Sequence, residues 1–382
     1  MRRYVDDEIL AGISSATLVG RGVVDLHCAG WADRERRVAL QPDHIFRIFS
    51  NTKLVTSCAA LLLLEEGRFR LDDPIDRFLP ELGALRVLSL GAVRLEDTVP
   101  CSGPITVGHL FSHRAGFGQG LMDPGTLLFD AYAAHGVRDP QRTLAQMVQA
   151  LSTLPLAFQP GSGWAYSMAT DVLGRLIEVV SGESIDDHFQ RRIFAPLGMT
   201  DTAFVLAPAQ QERLVAIYSG ASQEDPWRRG LTRCEDYPYP GAYLQPMPRL
   251  AAGGGLVSTL PDMLSLVRSL LPGGPTLLQP ATIALLMSNR LPAGQTVSLS
   301  GLSTPGKGFG LAGAVTLRPS PDDPPESADE VEWGGVAGTH WWISPANNLA
   351  GVVMAQRTMA FWHPFSHEMK RLTYRAALHG GC

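Results

Sequence analysis

The sequence predicts an α+β fold in which an antiparallel sheet, built from both chain termini, is flanked by helices and carries a mainly helical inserted lobe. Strand-like patterns occur at residues 12–31 and become frequent again only beyond about residue 308. Between them apolar residues recur at helical spacing, and a further helical pattern closes the chain. Residues 1–67 and 250–382 are therefore expected to form a sheet domain and residues 68–249 a helical and loop-rich lobe, with the active site between them.

Each element has a local reason. The apolar stretches Ala16-Thr-Leu-Val19 and Val23-Val-Asp-Leu26 flank Gly20-Arg-Gly22, the pattern of a β-hairpin. Ile45-Phe-Arg-Ile-Phe49 leads into a buried helix that begins at Ser50 and stops at Gly67. Helical spacing returns at 107–111, 143–151, 170–181 and 185–197. Residues 225–248, which contain Pro, Tyr and Trp, have no sustained periodicity. Loops that long inside compact proteins are usually functional or disordered, and this one, Tyr243 included, is expected to wall a substrate pocket. A helix at 261–270 precedes strands at 308–317, 331–343 and 349–356, the last two joined by the turn residues Ser344-Pro-Ala-Asn-Asn348, and a helix at 364–378 ends the chain.

Composition narrows the function. A chain of 382 residues buries a sizeable core without disulfide staples. A net charge of -5 with 18% charged residues, and no basic face or acidic run, argues against nucleic acid or a membrane surface as partner and for a small-molecule substrate. Cys28, Cys58, Cys101, Cys234 and Cys382 are odd in number and lack metal-site spacing, which fits reduced thiols in a cytosol. The start, Met1-Arg-Arg-Tyr-Val-Asp-Asp-Glu8, runs into acids instead of an apolar leader. The longest apolar run, 58–64, is far below the roughly 20 residues of a membrane helix. A soluble, cytoplasmic protein is expected.

Three segments carry chemistry. Lysine occurs only at Lys53, Lys307 and Lys370, so each survivor in this arginine-rich background is informative. Lys53 follows Ser50 by three residues at a helix start, which sets both side chains on one face a turn apart. An amine there can act as a base where a guanidinium cannot. The helix N-terminus also aims unpaired N–H groups at the serine oxygen. The structural alternative is an ordinary N-cap serine. The second segment, Pro160-Gly-Ser-Gly-Trp-Ala-Tyr166-Ser-Met168, ends in an aromatic just before a helix, where its hydroxyl can enter a cleft. The alternative is a packed tyrosine. In the third, Val331-Glu-Trp333-Gly334-Gly335-Val336, glycines within a strand mark a bulge or the close approach of something to the backbone, such as a substrate carbonyl.

Ser-x-x-Lys, then Tyr-x-x before a helix, then a Gly-Gly strand near the C-terminus resembles the serine β-lactamase and penicillin-binding-protein superfamily, in its class C-like branch. Within that branch the chain is most similar to the family VIII carboxylesterases. Leu71-Asp-Asp-Pro-Ile-Asp76, the run from Ile105 to Gly116, Pro196-Leu-Gly-Met-Thr-Asp-Thr202 and Gly253-Gly-Gly-Leu-Val-Ser-Thr259 extend the resemblance over nearly the full length. It implies the serine β-lactamase/transpeptidase-like fold, Ser50 as nucleophile, Lys53 and Tyr166 as the proton-handling pair, and the backbone N–H groups of Ser50 and Val336 as an oxyanion hole. Tyr166 would activate the deacylating water, and His113 would support structure. Two departures point to the substrate. Trp333 stands where the superfamily offers a cation to a substrate carboxylate, and Met168 where it offers an asparagine to a substrate amide. An apolar pocket formed by Trp333, Gly334, Gly335, Met168 and Tyr243 favours a small or medium acyl ester over a β-lactam or peptide, with weak β-lactam hydrolysis remaining open.

Other patterns do not compete. Gly308-Phe-Gly310-Leu-Ala-Gly313 matches G-x-G-x-x-G but is not followed by the helix a phosphate site requires. His363 and His367 stand four apart, yet Pro364 intervenes, and a solvated helix end is expected in place of a metal site. No G-x-S-x-G is present, which excludes an α/β-hydrolase nucleophile elbow. No cofactor or metal is expected. The alternatives to ester hydrolysis are acyl transfer to an alcohol or natural product and a non-catalytic sensor of penicillin-binding type.

Overall fold

The computed structural model describes residues 1–120, 123–222, 224–234, 236–299 and 302–380; Cys382 lies outside them. An eight-stranded antiparallel sheet is built from both ends of the chain. Its N-terminal strands are β1 (Gly12–Val19), β2 (Gly22–Asp33) and β3 (Val38–Ala39). Three helices matter most to the site: α1 (Thr52–Glu65), α2 (Ala169–Ser181) and α3 (Leu260–Arg268). The C-terminal strands are β4 (Lys307–Phe309), β5 (Ala314–Thr316), β6 (Val331–Gly335), β7 (Thr339–Ser344) and β8 (Leu349–Ala355), followed by helix α4 (Pro364–His379). Their spatial order is β4-β5-β6-β7-β8-β1-β2-β3. This is the β-lactamase/transpeptidase-like α+β fold.

The last strand of the chain pairs with the first, Ile13 opposite Ala355 and Val19 opposite Leu349. Every residue of β8 is buried, because helices cover both faces of the sheet there. On one face Trp342, Val353 and Ala355 pack with Phe365, Met369 and Tyr374 of α4. On the other, Trp341, Val352 and Met354 join the main core with α1 and α3. From Thr52 to Leu63 every residue of α1 is buried, polar Thr52, Lys53, Thr56 and Ser57 included, so the helix lies at the centre of the protein.

Two expected strands prove to be hairpins. Residues 308–317 split into β4 and β5 around a tight turn in which the Gly310 N–H donates to the Gly313 carbonyl. Residues 331–343 split into β6 and β7, because Gly338 at φ +86° reverses the chain after Val336 and Ala337. Apolar residues run through both turns, so hydrophobicity alone did not mark them. The 185–197 segment is Ile185–Phe189, a π turn Gln190–Phe194 and Ala195–Leu197 in succession.

His363 corrects another expectation. It is buried, N-caps α4 by accepting from the Phe365 N–H at 3.3 Å, and its Nε2 lies 2.9 Å from the Pro226 carbonyl. Among the described residues no group of His, Cys, Asp or Glu has metal-binding geometry, and no helix is long and apolar enough to cross a membrane.

The two lysines outside the Ser-x-x-Lys pair meet in one buried ionic network. Lys307 Nζ donates to Thr316 Oγ1 (2.7 Å), Asp323 Oδ1 (3.1 Å) and Glu332 Oε1 (2.7 Å). Lys370 Nζ donates to Asp323 Oδ1 (3.0 Å), Glu330 Oε1 (2.9 Å) and Glu332 Oε2 (2.7 Å). All three N–H groups of each ammonium are used, which is what a buried charge requires.

Candidate active site

Ser50 does not cap α1. It sits one residue earlier, in the 3-10 turn Phe49–Asn51, and Asn51 occupies the N-cap without a side-chain cap bond. Phe49 is held at φ +43°, a left-handed conformation that costs a bulky residue about 1–3 kcal/mol and persists only where packing enforces it. The edge-on ring of Tyr237, 5.7 Å away, is part of that packing. The first turn of α1 is stitched to the Gly253-Gly-Gly255 segment. Thr56 Oγ1 donates to the Ala252 carbonyl (2.7 Å), the Leu256 N–H donates to Thr52 Oγ1 (3.1 Å), and Lys53 Nζ donates to the Gly253 carbonyl (2.5 Å).

Tyr166 Oη donates to Ser50 Oγ at 2.7 Å. Buried Lys53 places its ammonium 4.7 Å from the centre of the Tyr166 ring. The three residues named from the sequence are thus one constellation, in which the phenol bridges serine and lysine. His113 sets the phenol's position. Its carbonyl accepts from the Ala165 N–H (3.1 Å), its Nδ1 accepts from the Ser167 N–H (3.2 Å), and its ring stands 5.0 Å from that of Tyr166. Burial and the nearby Lys53 charge hold the His113 imidazole well below its ordinary range, so it stays neutral and able to accept.

The opposite wall is β6. Trp333 is 5% exposed, and its ring lies 5.4 Å from Tyr166, 5.3 Å from Phe309 and 5.4 Å from Phe361. The Val336 carbonyl accepts from the Ala360 N–H at 2.9 Å, which fixes that peptide beside the serine turn. A Cβ on Gly335 would stand 2.5 Å from the Ile48 carbonyl oxygen and 2.5 Å from Thr339 Oγ1. Only glycine lets the strand come this close to the segment that carries Ser50. Gly335→Ala is therefore expected to cost about 1–3 kcal/mol of stability through overpacking and at least about tenfold in kcat by moving Val336 away from Ser50. Gly103→Ala, where an added Cβ meets nothing within 4 Å, is the control in thermal melts and ester assays.

Ser50, Lys53, Tyr166, Met168, Tyr243, Trp333, Gly334 and Val336 all line one cavity of about 260 Å³. Gly335 is not among the lining residues; it lies one layer back, against Ile48. The 225–248 loop contributes Pro238, Tyr239, Tyr243, Gln245 and Met247 to the wall. Tyr243 packs on buried Arg47, whose guanidinium carbon is 5.8 Å from its ring, and burial pushes its phenol far up. Sequence reasoning missed Asp171, Arg138, Arg249, Leu299 and Phe361, which also line the cavity. Asp171 Oδ1 accepts from the Gly253 N–H at 3.1 Å, behind the carbonyl that holds Lys53. None of these belongs to a motif, though the Gly253 run itself was visible as a landmark.

A serine, a phenol and an ammonium in contact at a helix start, facing a strand edge, define a serine hydrolase. The chain belongs to the Beta-lactamase family, whose model it matches over residues 1–365. It is 32% identical over 336 residues to the lovastatin esterase of Penicillium rubens, covering 84% of this chain and 81% of that protein. It is 30% identical over 339 residues to esterase EstB of Burkholderia gladioli, covering 85% and 80%. Among solved structures, EstCE1, described as a hydrolase with promiscuous acyltransferase activity, superposes with a TM-score of 0.80 at 25% identity, over 97% of this chain and 96% of that one.

Proposed function

We propose that the protein hydrolyses small and medium acyl esters through an acyl-enzyme on Ser50. The observation that carries this reading is the 2.7 Å contact between Tyr166 Oη and Ser50 Oγ, beneath the Lys53 ammonium and inside an apolar, Trp333-walled cavity. Ser50 Oγ attacks the ester carbonyl and passes its proton through the Tyr166–Lys53 pair to the departing alcohol. The ammonium over the ring stabilises negative charge that develops on the phenolic oxygen. The Ser50 and Val336 N–H groups receive the carbonyl oxygen as it becomes an oxyanion. Water, deprotonated by the same pair, then frees the acid and restores Ser50.

Esters fit better than amides, because an alkoxide leaves without the protonation an amine demands. Trp333 and Met168 present no polar handle to a β-lactam carboxylate or a peptide amide, so such substrates lose the contacts they need. Transfer of the acyl group to an alcohol is the second reading, favoured by the activity stated for EstCE1. It uses the same intermediate with an alcohol in place of water.

The test is exposure to a serine-reactive phosphonate, with the adduct located by mass spectrometry, beside a panel of aryl esters, cephalosporins and D-amino-acid amides run with and without an acceptor alcohol. An adduct on Ser50 and kcat/KM at least about a hundredfold higher for esters are expected. Absence of the adduct would return the protein to a binding role, and comparable kcat/KM values across the panel would overturn the substrate class.

A further inference from the structure

Behind Trp333 lies a second cavity of about 160 Å³. Glu332, His340, His367 and Lys370 line it, and it shares Trp333, Phe361 and Leu299 with the catalytic cavity. Five buried nitrogen atoms on its lining residues have no hydrogen-bond partner: Trp333 Nε1, Trp341 Nε1, Trp342 Nε1, His340 Nε2 and His367 Nδ1. Buried polar atoms are rarely left so, and each costs on the order of 1–3 kcal/mol unless something fills the space and pairs with it.

The chemistry of the walls selects the occupant. Lys307 and Lys370 look like anion receptors, but every N–H of both is already given to a carboxylate or to Thr316. Glu332 and its neighbours Asp323 and Glu330 would repel an added anion. What remains unpaired is three indole N–H groups, of Trp333, Trp341 and Trp342, which can only donate, and two imidazole nitrogens. Burial holds both imidazoles below their ordinary range, His340 at about 3, so at neutral pH each ring accepts at one nitrogen and donates at the other. A hydroxyl group, both donor and acceptor and without charge, satisfies this set. A carboxylate or an ammonium does not.

We propose that this cavity is a second binding site, for a hydroxylated, uncharged group, either a free small polyol or the hydroxylated end of an ester's alcohol part. Trp333 and Phe361 form the partition, so what sits behind them bears on the substrate in front. The site stands on the wall chemistry alone; its link to substrate choice rests on the ester reading above.

The protein is titrated with ethylene glycol, glycerol and 1,4-butanediol, against sodium acetate and tetramethylammonium chloride, while intrinsic fluorescence reports Trp333, Trp341 and Trp342 at the cavity wall. A saturable change with a diol, half-complete in the millimolar range, is expected, with none from the ions. His340→Phe and His367→Phe should each weaken it about tenfold, the worth of one hydrogen bond. His367 is half-buried on α4, so its variant is expected to fold even if the His340 substitution does not. In the second arm, KM for the monobutyrate of 1,4-butanediol should be about tenfold below that for butyl butyrate, an advantage lost in both variants. That arm separates a substrate subsite from a site for a free polyol. A response that stays linear with concentration, or is identical in wild type and variants, means the cavity holds water only and overturns the proposal. If no ester is turned over at all, the ester reading fails while the titration still decides the site.

Discussion

Lys53→Ala should lower kcat for an aryl acetate by about three to four orders of magnitude, with KM changed less than about threefold, because the lost interaction acts in the transition state. The geometry makes this sharper than a general loss of charge. Lys53 does not donate to Ser50; it donates to the Gly253 carbonyl and lies over the Tyr166 ring. Its effect on the serine therefore passes through the phenol. Tyr166→Phe should cost a similar factor, and the double variant little more than either single one, since residues acting as a unit are not additive. Lys53→Arg distinguishes proton handling from mere positive charge, because a guanidinium keeps the charge and cannot give up its proton. Steady-state kinetics on the four variants, with circular dichroism to verify folding, settle it; a Lys53→Arg enzyme at wild-type rate would remove lysine from the proton path.

That constellation was legible because its parts are local. Ser50 and Lys53 are one helical turn apart, and Tyr166 lies in a Gly-rich turn directly before α2. The architecture was legible for a related reason: strand patterns at both termini can be satisfied together only if the ends of the chain pair, as β1 and β8 do. What escaped was non-local. Asp171 supports the Gly253 segment across 82 positions, and nothing near either residue signals the contact. The hairpins at 310–313 and 336–338 escaped because their turns are made of Leu, Ala and Val as well as Gly, so the apolar pattern runs through them. The scarcity of lysine drew attention to Lys307 and Lys370, but their carboxylate partners are spread over residues 323–332 and come together only when β4, β6 and α4 pack.

Lys370→Met tests that packing and is expected to be the most destabilising of these substitutions. Lys370 is 2% exposed and bonded to three carboxylates; removing it leaves Asp323 and Glu332 with Lys307 and leaves Glu330 with the Tyr374 hydroxyl in place of an ammonium. Breaking a buried ion pair from one side costs about 3–5 kcal/mol, and for a chain of this length that lowers Tm by about 5 °C. The dependence on pH gives the cause away. Burial pushes the Glu330 carboxyl up to about 7, whereas the two ammonium groups hold Asp323 down at about 2 and Glu332 well below its ordinary range. A carboxyl lowered on folding stabilises above its unfolded pKa, and that contribution is lost as pH falls through the folded value. A carboxyl raised on folding does the reverse: its contribution is full below about 4.5 and is lost as pH rises through about 7. Without Lys370 all three carboxyls shift toward the second behaviour, since each loses a cation. The difference in Tm between wild type and Lys370→Met should therefore be largest near pH 8 and shrink toward pH 5, where protons take the place of the missing ammonium. Calorimetric scans at both pH values measure it. A gap that is constant with pH would mean that Lys370 supports the fold through its packed methylenes and not through its charge.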